Sequence, residues 1–541
     1  MPIPPRSLPF YQWVLLSLLI TASLRAGAAT SVVNLVPSAP ATAANYWCTW
    51  YAQNYWQQRG GEITDFDQIN NPNAREELSF DHLFNPAEGW ATTYLPRGRS
   101  DYFFLIDHGW QTKEDSERSV PGSQPFYSHQ IDPRDFPEFA DSNPAESLRL
   151  FNQAIIQQGW RGLGLWVRGT VTEDAARTFV EWSRHAGIQY WKIDGGGTAD
   201  FPSYRIKQEI YPELQLEYIN GTGPFNQYWD DPHRSSYPSP YDIGQQKQPS
   251  MLHILQNTDV FRTYDVAPLL FSTITLQRVN DILKQTQNDS RYIGILNIQD
   301  DPQVAAGMGC LIATKRHPNY GERTFEGEDF HHQMRGDRLV QKRMNEIERF
   351  GRWQRIAPAF AAGVGSFEAS PHDLIDSFPH TEKDTWFKPV YGQVVYQSAP
   401  AVMARNLPLP IVEIDGDAPY VMASTYPNGP TCIATEGRVQ PTNQWFEPRA
   451  SITLQVADAR QPIGIFGRYD HLTIVFNEPI ESASQVWAQD LLSTAATDIK
   501  SLVEIDGNRL TIPGALIDML GTEAGDPGDL SVPGLVLQLA L

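Results

Sequence analysis

The sequence predicts an α/β fold: a (β/α)8, or TIM, barrel followed by a C-terminal antiparallel β-sandwich. Three observations carry this expectation. Between about residues 44 and 320, short apolar runs alternate with amphipathic helical stretches, the mark of parallel βα units. In that region charged residues collect at the C-terminal ends of the apolar runs, where a parallel barrel gathers its chemistry. After about residue 388 short runs punctuated by Gly, Pro, Asn and Asp take over, as in antiparallel sheets. The expected division is a signal peptide over 1–28, a barrel over 29–387 and a β-sandwich region over 388–541.

The elements follow in order. Arg6 supplies a charged start, WVLLSLLITASL (13–24) an apolar run, and Ala26-Gly27-Ala28 a small-residue cleavage site. That run is shorter than the ~20 residues that span a bilayer. A secreted or periplasmic protein is expected, with no stable membrane insertion after signal cleavage. YWCTW (46–50), DYFFLID (101–107), GLGLWVR (162–168), IQYWKID (188–194), LQLEYIN (214–220), DVFRTYD (259–265) and YIGILNI (292–298) read as buried strands. Seven such runs favour a closed eight-stranded barrel over an open sheet. Asn143, Pro144 and Glu146 form a helix start, with Leu148, Phe151 and Ile155 on one face and Gly159 as the stop. Thr172, followed by Glu173 and Asp174, caps a second helix that ends near Gly187. A third helical stretch, 338–361, carries Leu339, Met344, Ile347, Phe350 and Trp353 as a stripe. VVYQSA, IVEIDG, PYVMAS, SITLQVA, LTIVFN, LVEIDG and LTIPG then supply the β region. Its default role is to brace the barrel, the alternative being to bind polysaccharide.

Composition narrows the partners. The 541 residues carry a net charge of −21, which repels phosphate backbones, so no nucleic acid is expected. Aromatics are 11% of the chain, with 15 Trp, which suits a sugar site as well as an ordinary large core. Cys48, Cys310 and Cys432 are too few and too scattered for a metal framework, although one disulfide is possible. Asn220-Gly-Thr222 and Asn288-Asp-Ser290 match the glycosylation sequon. GWRGLGLWVRG has spaced glycines, but no G-x-G-x-x-G opens a helix after a strand. His108, His331, His332, Asp107, Asp300 and Asp301 are the ligand types of a metallohydrolase, yet no metal-ligand spacing appears. No metal and no cofactor is signalled; oligomeric state is not legible.

The strand ends point to one chemistry. Asp107 closes one run, Lys192 and Asp194 another, Glu217 lies in a third, and Arg262 and Asp265 close a fourth. Lys192 and Asp194 are two apart, so on a strand they face the same side. Gly195, Gly196 and Gly197 then leave room for a ligand to approach the backbone. An ionised Asp with a second carboxylate on another strand is the equipment of glycoside cleavage, in which one attacks and the other protonates the leaving oxygen. A structural ion pair at a barrel rim is the plainer alternative.

Five motifs in order now resemble the retaining α-galactosidase (melibiase) clan, glycoside hydrolase families 27 and 36. YWCTW is similar to its GWNSW strand, LIDHGW (105–110) to IDDGW, WKIDGGG (191–197) to the nucleophile strand, LQLEYIN to a sugar-contacting Glu strand, and FRTYDV (261–266) to WRTTGDI. The resemblance covers roughly 45–300. It implies Asp194 as nucleophile and Asp265 as general acid/base. It places Lys192 and Asp107 on sugar hydroxyls, Glu217 and Arg262 near the 2- and 3-hydroxyls, and Trp47 as an apolar wall. An oligo- or polysaccharide is the implied substrate.

Two departures stand out. The family's Asp-Asp is Asp107-His108 here, which admits an arabinopyranose, fucose or N-acetylgalactosamine beside galactose. Arg262 and Asp265 are three apart where family 27 has four, so Asp259, in a segment similar to the SD-x-TD of family 36, is a rival acid. The alternative function is a non-catalytic carbohydrate-binding protein on a degenerate glycosidase barrel.

Overall fold

The computed structural model describes residues 32–57, 72–112, 129–168, 172–194, 202–219, 250–263, 272–315, 343–379, 394–413, 417–439 and 445–541. Its N-terminal part is a closed barrel of eight parallel strands in chain order. They are β1 (Tyr46–Cys48), β2 (Phe103–Ile106), β3 (Gly162–Arg168), β4 (Tyr190–Asp194), β5 (Gln215–Tyr218), β6 (Val260–Arg262), β7 (Ile295–Gln299) and β8 (Leu311–Thr314). The barrel closes where Tyr46 and Trp47 of β1 pair with Ala313 and Thr314 of β8. β8 is the strand that the seven apolar runs lacked.

Side-chain alternation sorts each strand into an inner and an outer set. Tyr46, Cys48, Phe103, Leu105, Tyr190, Val260, Leu311 and Ala313 pack together inside the barrel. Trp47, Phe104, Leu163, Leu165, Trp191 and Leu216 belong to the layer between strands and helices. Full burial of one such large apolar side chain stabilises by about 1.5–3 kcal/mol. Gly162 and Gly164 pair in register with Phe103 and Leu105. A Cβ at Gly164 would lie 3.3 Å from that of Leu105, so the spaced glycines of β3 make room for interior side chains.

The helices obey their caps. Asn143 accepts from the Ala145 N–H at the start of Pro144–Gln157, which ends just before Gly159. Thr172 accepts from the Ala175 N–H at the start of Glu173–Ala186, and left-handed Gly187 closes it. The third stretch contains the helix Asn345–Ile356, which buries Ile347, Phe350 and Trp353; Leu339 lies outside the described residues.

The C-terminal part has two main facing sheets, of eight and five strands. Val421, Ile433, Ile465 and Leu537 of the larger meet Ile452, Leu454, Ile474 and Leu510 of the smaller in one core. The sheets are mixed rather than purely antiparallel. Val402–Arg405 runs parallel to Tyr420–Thr425, Thr431–Glu436 to Ile463–Phe466, and Ser451–Val456 to His471–Phe476. Each of these pairs is linked through a strand of the opposite sheet, which returns the chain in the same direction. The larger sheet begins at Phe367–Ala369, so it recruits residues ahead of 388.

The other face of the larger sheet packs on the barrel. Met403, Tyr420, Met422, Cys432 and Ala434 join the core that holds Ala305, Met308 and Trp353. Arg405 donates to the Met308 carbonyl at 2.7 Å, Tyr426 to the Ala306 carbonyl at 2.7 Å, and Trp353 to the Tyr426 hydroxyl at 3.1 Å. Arg349 holds Asp490 through two bonds of 2.9 and 3.0 Å, the planar fork favoured for buried pairs. Cys48, Cys310 and Cys432 are all buried free thiols, so no disulfide forms among them. Among the described residues no helix is long and apolar enough to cross a membrane, and the expected signal peptide lies outside them.

Candidate active site

The C-terminal ends of the barrel strands hold a dense polar cluster. Its centre is an ion pair between β2 and β4: the Lys192 ammonium donates to Asp107 Oδ2 at 2.6 Å, with both side chains buried. Asp107 is fixed from several directions. Its backbone N–H donates to Thr49 Oγ1 at 2.8 Å, the His108 N–H donates to its Oδ1 at 2.8 Å, and the Cys48 thiol to its Oδ2 at 3.1 Å. Burial alone would raise the Asp107 carboxyl. Lys192, Lys315 and the His108 N–H outweigh it and hold the group at about 2. Asp107 therefore stays a charged acceptor. Burial and the same carboxylate push the Cys48 thiol up to about 12, which keeps it protonated and inert.

Asp194 ends β4 and is partly exposed, unlike Asp107. The Trp166 indole N–H of β3 donates to Asp194 Oδ2 at 3.0 Å. The other face of this arrangement is His108, whose ring stacks on Trp166 at 4.1 Å and 8°. Burial, with Arg75, Arg168 and Lys192 nearby, drives the His108 imidazole down to about 3 against the pull of Asp107. At the site where the resemblance has a second carboxylate, this chain therefore presents a neutral flat ring.

Deeper in the barrel Glu217 of β5 and Arg262 of β6 face inward and are fully buried. Glu217 accepts from the Tyr46 hydroxyl at 3.2 Å and from Asn297 Nδ2 at 3.0 Å, with Arg262 Nε 4.0 Å away. Burial raises the Glu217 carboxyl against the opposing pull of Arg262 and Lys192. Both residues thus lie on the interior side of the cluster, and Glu217 Oε2 has no hydrogen-bond partner among the described residues.

Two expected residues lie elsewhere. Asp259 precedes β6, at the N-terminal end of the barrel. Its Oδ1 accepts from Lys207 at 2.7 Å and its Oδ2 from the Leu216 N–H, near the start of β5, at 2.9 Å. It is on the wrong side of the barrel to serve as an acid for Asp194. Trp47 points outward, packing edge-on to Tyr94 at 4.9 Å and near Phe104 at 5.3 Å. The register of β1 turns Tyr46 and Cys48 inward instead, so Trp47 is no sugar wall. Asp265, Gly195, Gly196, Gly197, Asn220, His331 and His332 lie outside the described residues.

Residues that the sequence reading passed over also reach the cluster. Trp166 has the same parity as Gly162 and Gly164, two small interior positions, so its inward aim was written in the strand. Lys315 follows β8 and is fully buried, with its ammonium 5.0 Å from the Tyr51 ring. Gln299, the last residue of β7, donates to the Tyr51 hydroxyl at 2.6 Å. Among the described residues no group of three or more His, Cys, Asp or Glu side chains is placed to hold a metal ion.

No known family model matches the chain, and no curated protein matches its sequence. Solved structures give distant likenesses. A maltogenic alpha-amylase of Thermotoga neapolitana has 9% identity and a TM-score of 0.33, covering 91% of this chain and 98% of its own. A family 51 alpha-L-arabinofuranosidase of Bifidobacterium longum has 8% identity and a TM-score of 0.32, covering 94% and 98%. The GH51 arabinofuranosidase of Xanthomonas axonopodis pv. citri has 8% identity and a TM-score of 0.26, covering 82% and 88%. Likenesses this distant carry no argument about activity. The barrel stands on its own strand pairing.

Proposed function

We propose that this chain is an exported, retaining glycoside hydrolase that removes terminal α-galactosyl or closely related sugar residues. The observation that carries the reading is the constellation at the barrel mouth. A partly exposed Asp194 is oriented by the Trp166 indole and shares β4 with Lys192, whose ammonium is paired with the buried Asp107 at the end of β2.

In this reading Asp194 attacks the anomeric carbon and forms a covalent glycosyl-enzyme. A second carboxylate protonates the leaving oxygen, then takes a proton from the water that releases the sugar. Asp265 is assigned that role, because Asp259 is engaged at the opposite end. The two carboxyl groups should stand ~5–5.5 Å apart for retention of configuration. Asp107 and Lys192 grip hydroxyls with a fixed acceptor and a fixed donor. Neutral His108 supplies no negative charge there, so the sugar is galactose or a relative such as an arabinopyranose, fucose or N-acetylgalactosamine. Export rests on the apolar run 13–24 and its flanks.

The test is nitrophenol release from a panel of aryl α-glycosides by purified protein, with Asp194→Ala in parallel. Activity that vanishes in the variant supports the reading. Binding of sugars without turnover on any member of the panel points to the non-catalytic alternative.

A further inference from the structure

Asp107, Lys192 and Asp194 stand at the ends of β2 and β4, with Glu217 and Arg262 following on β5 and β6. The rest of the mouth is built by the end of β7, the residue after β8 and Tyr51. Gln299 shares the inward face of β7 with Asn297, and its register partner on β8 is the small Ala313. It is 1% exposed. Its amide N–H is used by Tyr51, but its Oε1 is buried and, among the described residues, has no hydrogen-bond partner. A buried acceptor is ordinarily paired, with protein or with a bound molecule. The backbone around it is also held in place. Asp300, next in the chain, adopts φ 51, and its Oδ1 accepts from the Lys315 N–H at 2.7 Å. That bond ties the end of β7 to the end of β8 and fixes where Gln299 points.

We propose that Gln299 is a further substrate-binding residue, whose Oε1 accepts a hydrogen bond from a sugar hydroxyl across the ring from Asp107. The proposal rests on the carbohydrate reading of the mouth and extends it to β7 and β8. Tyr51 positions the amide by accepting its N–H, so the carbonyl end is the one presented to the ligand. Gln299 thereby sets specificity: a sugar lacking the matching hydroxyl leaves the acceptor buried and unpaired.

The experiment is calorimetric titration of the whole protein with D-galactose and with its single-deoxy analogues. Wild type, Gln299→Met and Gln299→Glu are compared, each checked for an unchanged melting temperature. Hydrolysis of the aryl glycoside panel is measured separately. The expected result is that one deoxy sugar binds wild type about 10-fold or more weakly than galactose. Gln299→Met should lose that discrimination, and Gln299→Glu, which keeps an acceptor, should restore it. A folded Gln299→Met that keeps every wild-type affinity ratio overturns the proposal, as does a Glu variant that fails to rescue. Wild type that binds none of these sugars overturns it as well. Discrimination lost in the Met variant without hydrolysis by wild type leaves the inference standing and sinks only the hydrolase reading.

Discussion

Two lysine–aspartate pairs, one buried and one partly buried, sit at opposite ends of the same barrel. Lys192–Asp107 closes at 2.6 Å at the C-terminal ends of the strands, and Lys207–Asp259 at 2.7 Å at the N-terminal ends. The chemistry of the two pairs is the same, yet their carboxyls shift in opposite directions. Burial raises the Asp259 group beyond what Lys207 and the Leu216 N–H can offset. Burial acts on Asp107 as well, but Lys192, Lys315 and the His108 N–H hold it at about 2. An ion pair therefore does not define a site. What sets Asp107 apart is a second cation, Lys315, and a place at the C-terminal ends of the strands.

The comparison can be broken in order of expected effect. Asp194→Ala, at the C-terminal end of the strands, should lower turnover of an active aryl glycoside by about 10^4-fold or more with the melting temperature kept. Loss of the fold instead would make the mouth structural. Lys207→Met leaves the partly buried Asp259 without its cation and should lower the unfolding free energy by about 2–3 kcal/mol in urea titrations. Specific activity of the folded fraction should not change, and a fall in it would place Asp259 in the chemistry after all.

Lys192→Met should weaken the fold by a similar amount and also alter pH dependence. The Asp107 carboxyl is depressed from 3.8 to about 2, so its stabilisation, about 2 kcal/mol, is complete above pH 4 and is lost as pH falls through 2. Without Lys192 the folded value rises, and activity should fall off at a higher pH on the acid side. An acid limb identical to wild type would mean that Asp107 does not meet substrate in its charged form. The smallest effect is expected of His108→Asp, which restores a carboxylate beside Trp166. Relative kcat/KM for the α-galactoside over the β-L-arabinopyranoside should rise about 10-fold. An unchanged ratio would remove position 108 from specificity.

Much of this was legible in the chain. Apolar runs ending in charge gave the barrel and put Asp107, Lys192 and Asp194 together, because a parallel strand exposes its C-terminal end to the site. Facing was harder. The resemblance implied Trp47 as a sugar wall, but β1 has only three residues, and its register with Phe103 and Phe104 decides which face each takes. Asp259 looked like an acid by spacing, although it stands before its apolar run and so belongs to the far end. β8 escaped notice because LIAT is four residues of unremarkable composition, and Lys315 went with it. Gln299 was invisible for a different reason: its unused acceptor is a property of packing, which no local pattern records.

The close contact at Gly307 has a consequence for how the molecule is made. A Cβ there would stand 2.6 Å from that of Met422, so the barrel's helix Pro302–Met308 and the large sheet meet at backbone distance. That sheet is completed by Gly534–Ala540, which lies between Ile463–Phe466 and Gln485–Asp490. Synthesis therefore delivers Asp107, Lys192 and Asp194 hundreds of residues before the strand that finishes their support. The sheet that backs the barrel thus stays one strand short until well after all eight barrel strands have been made.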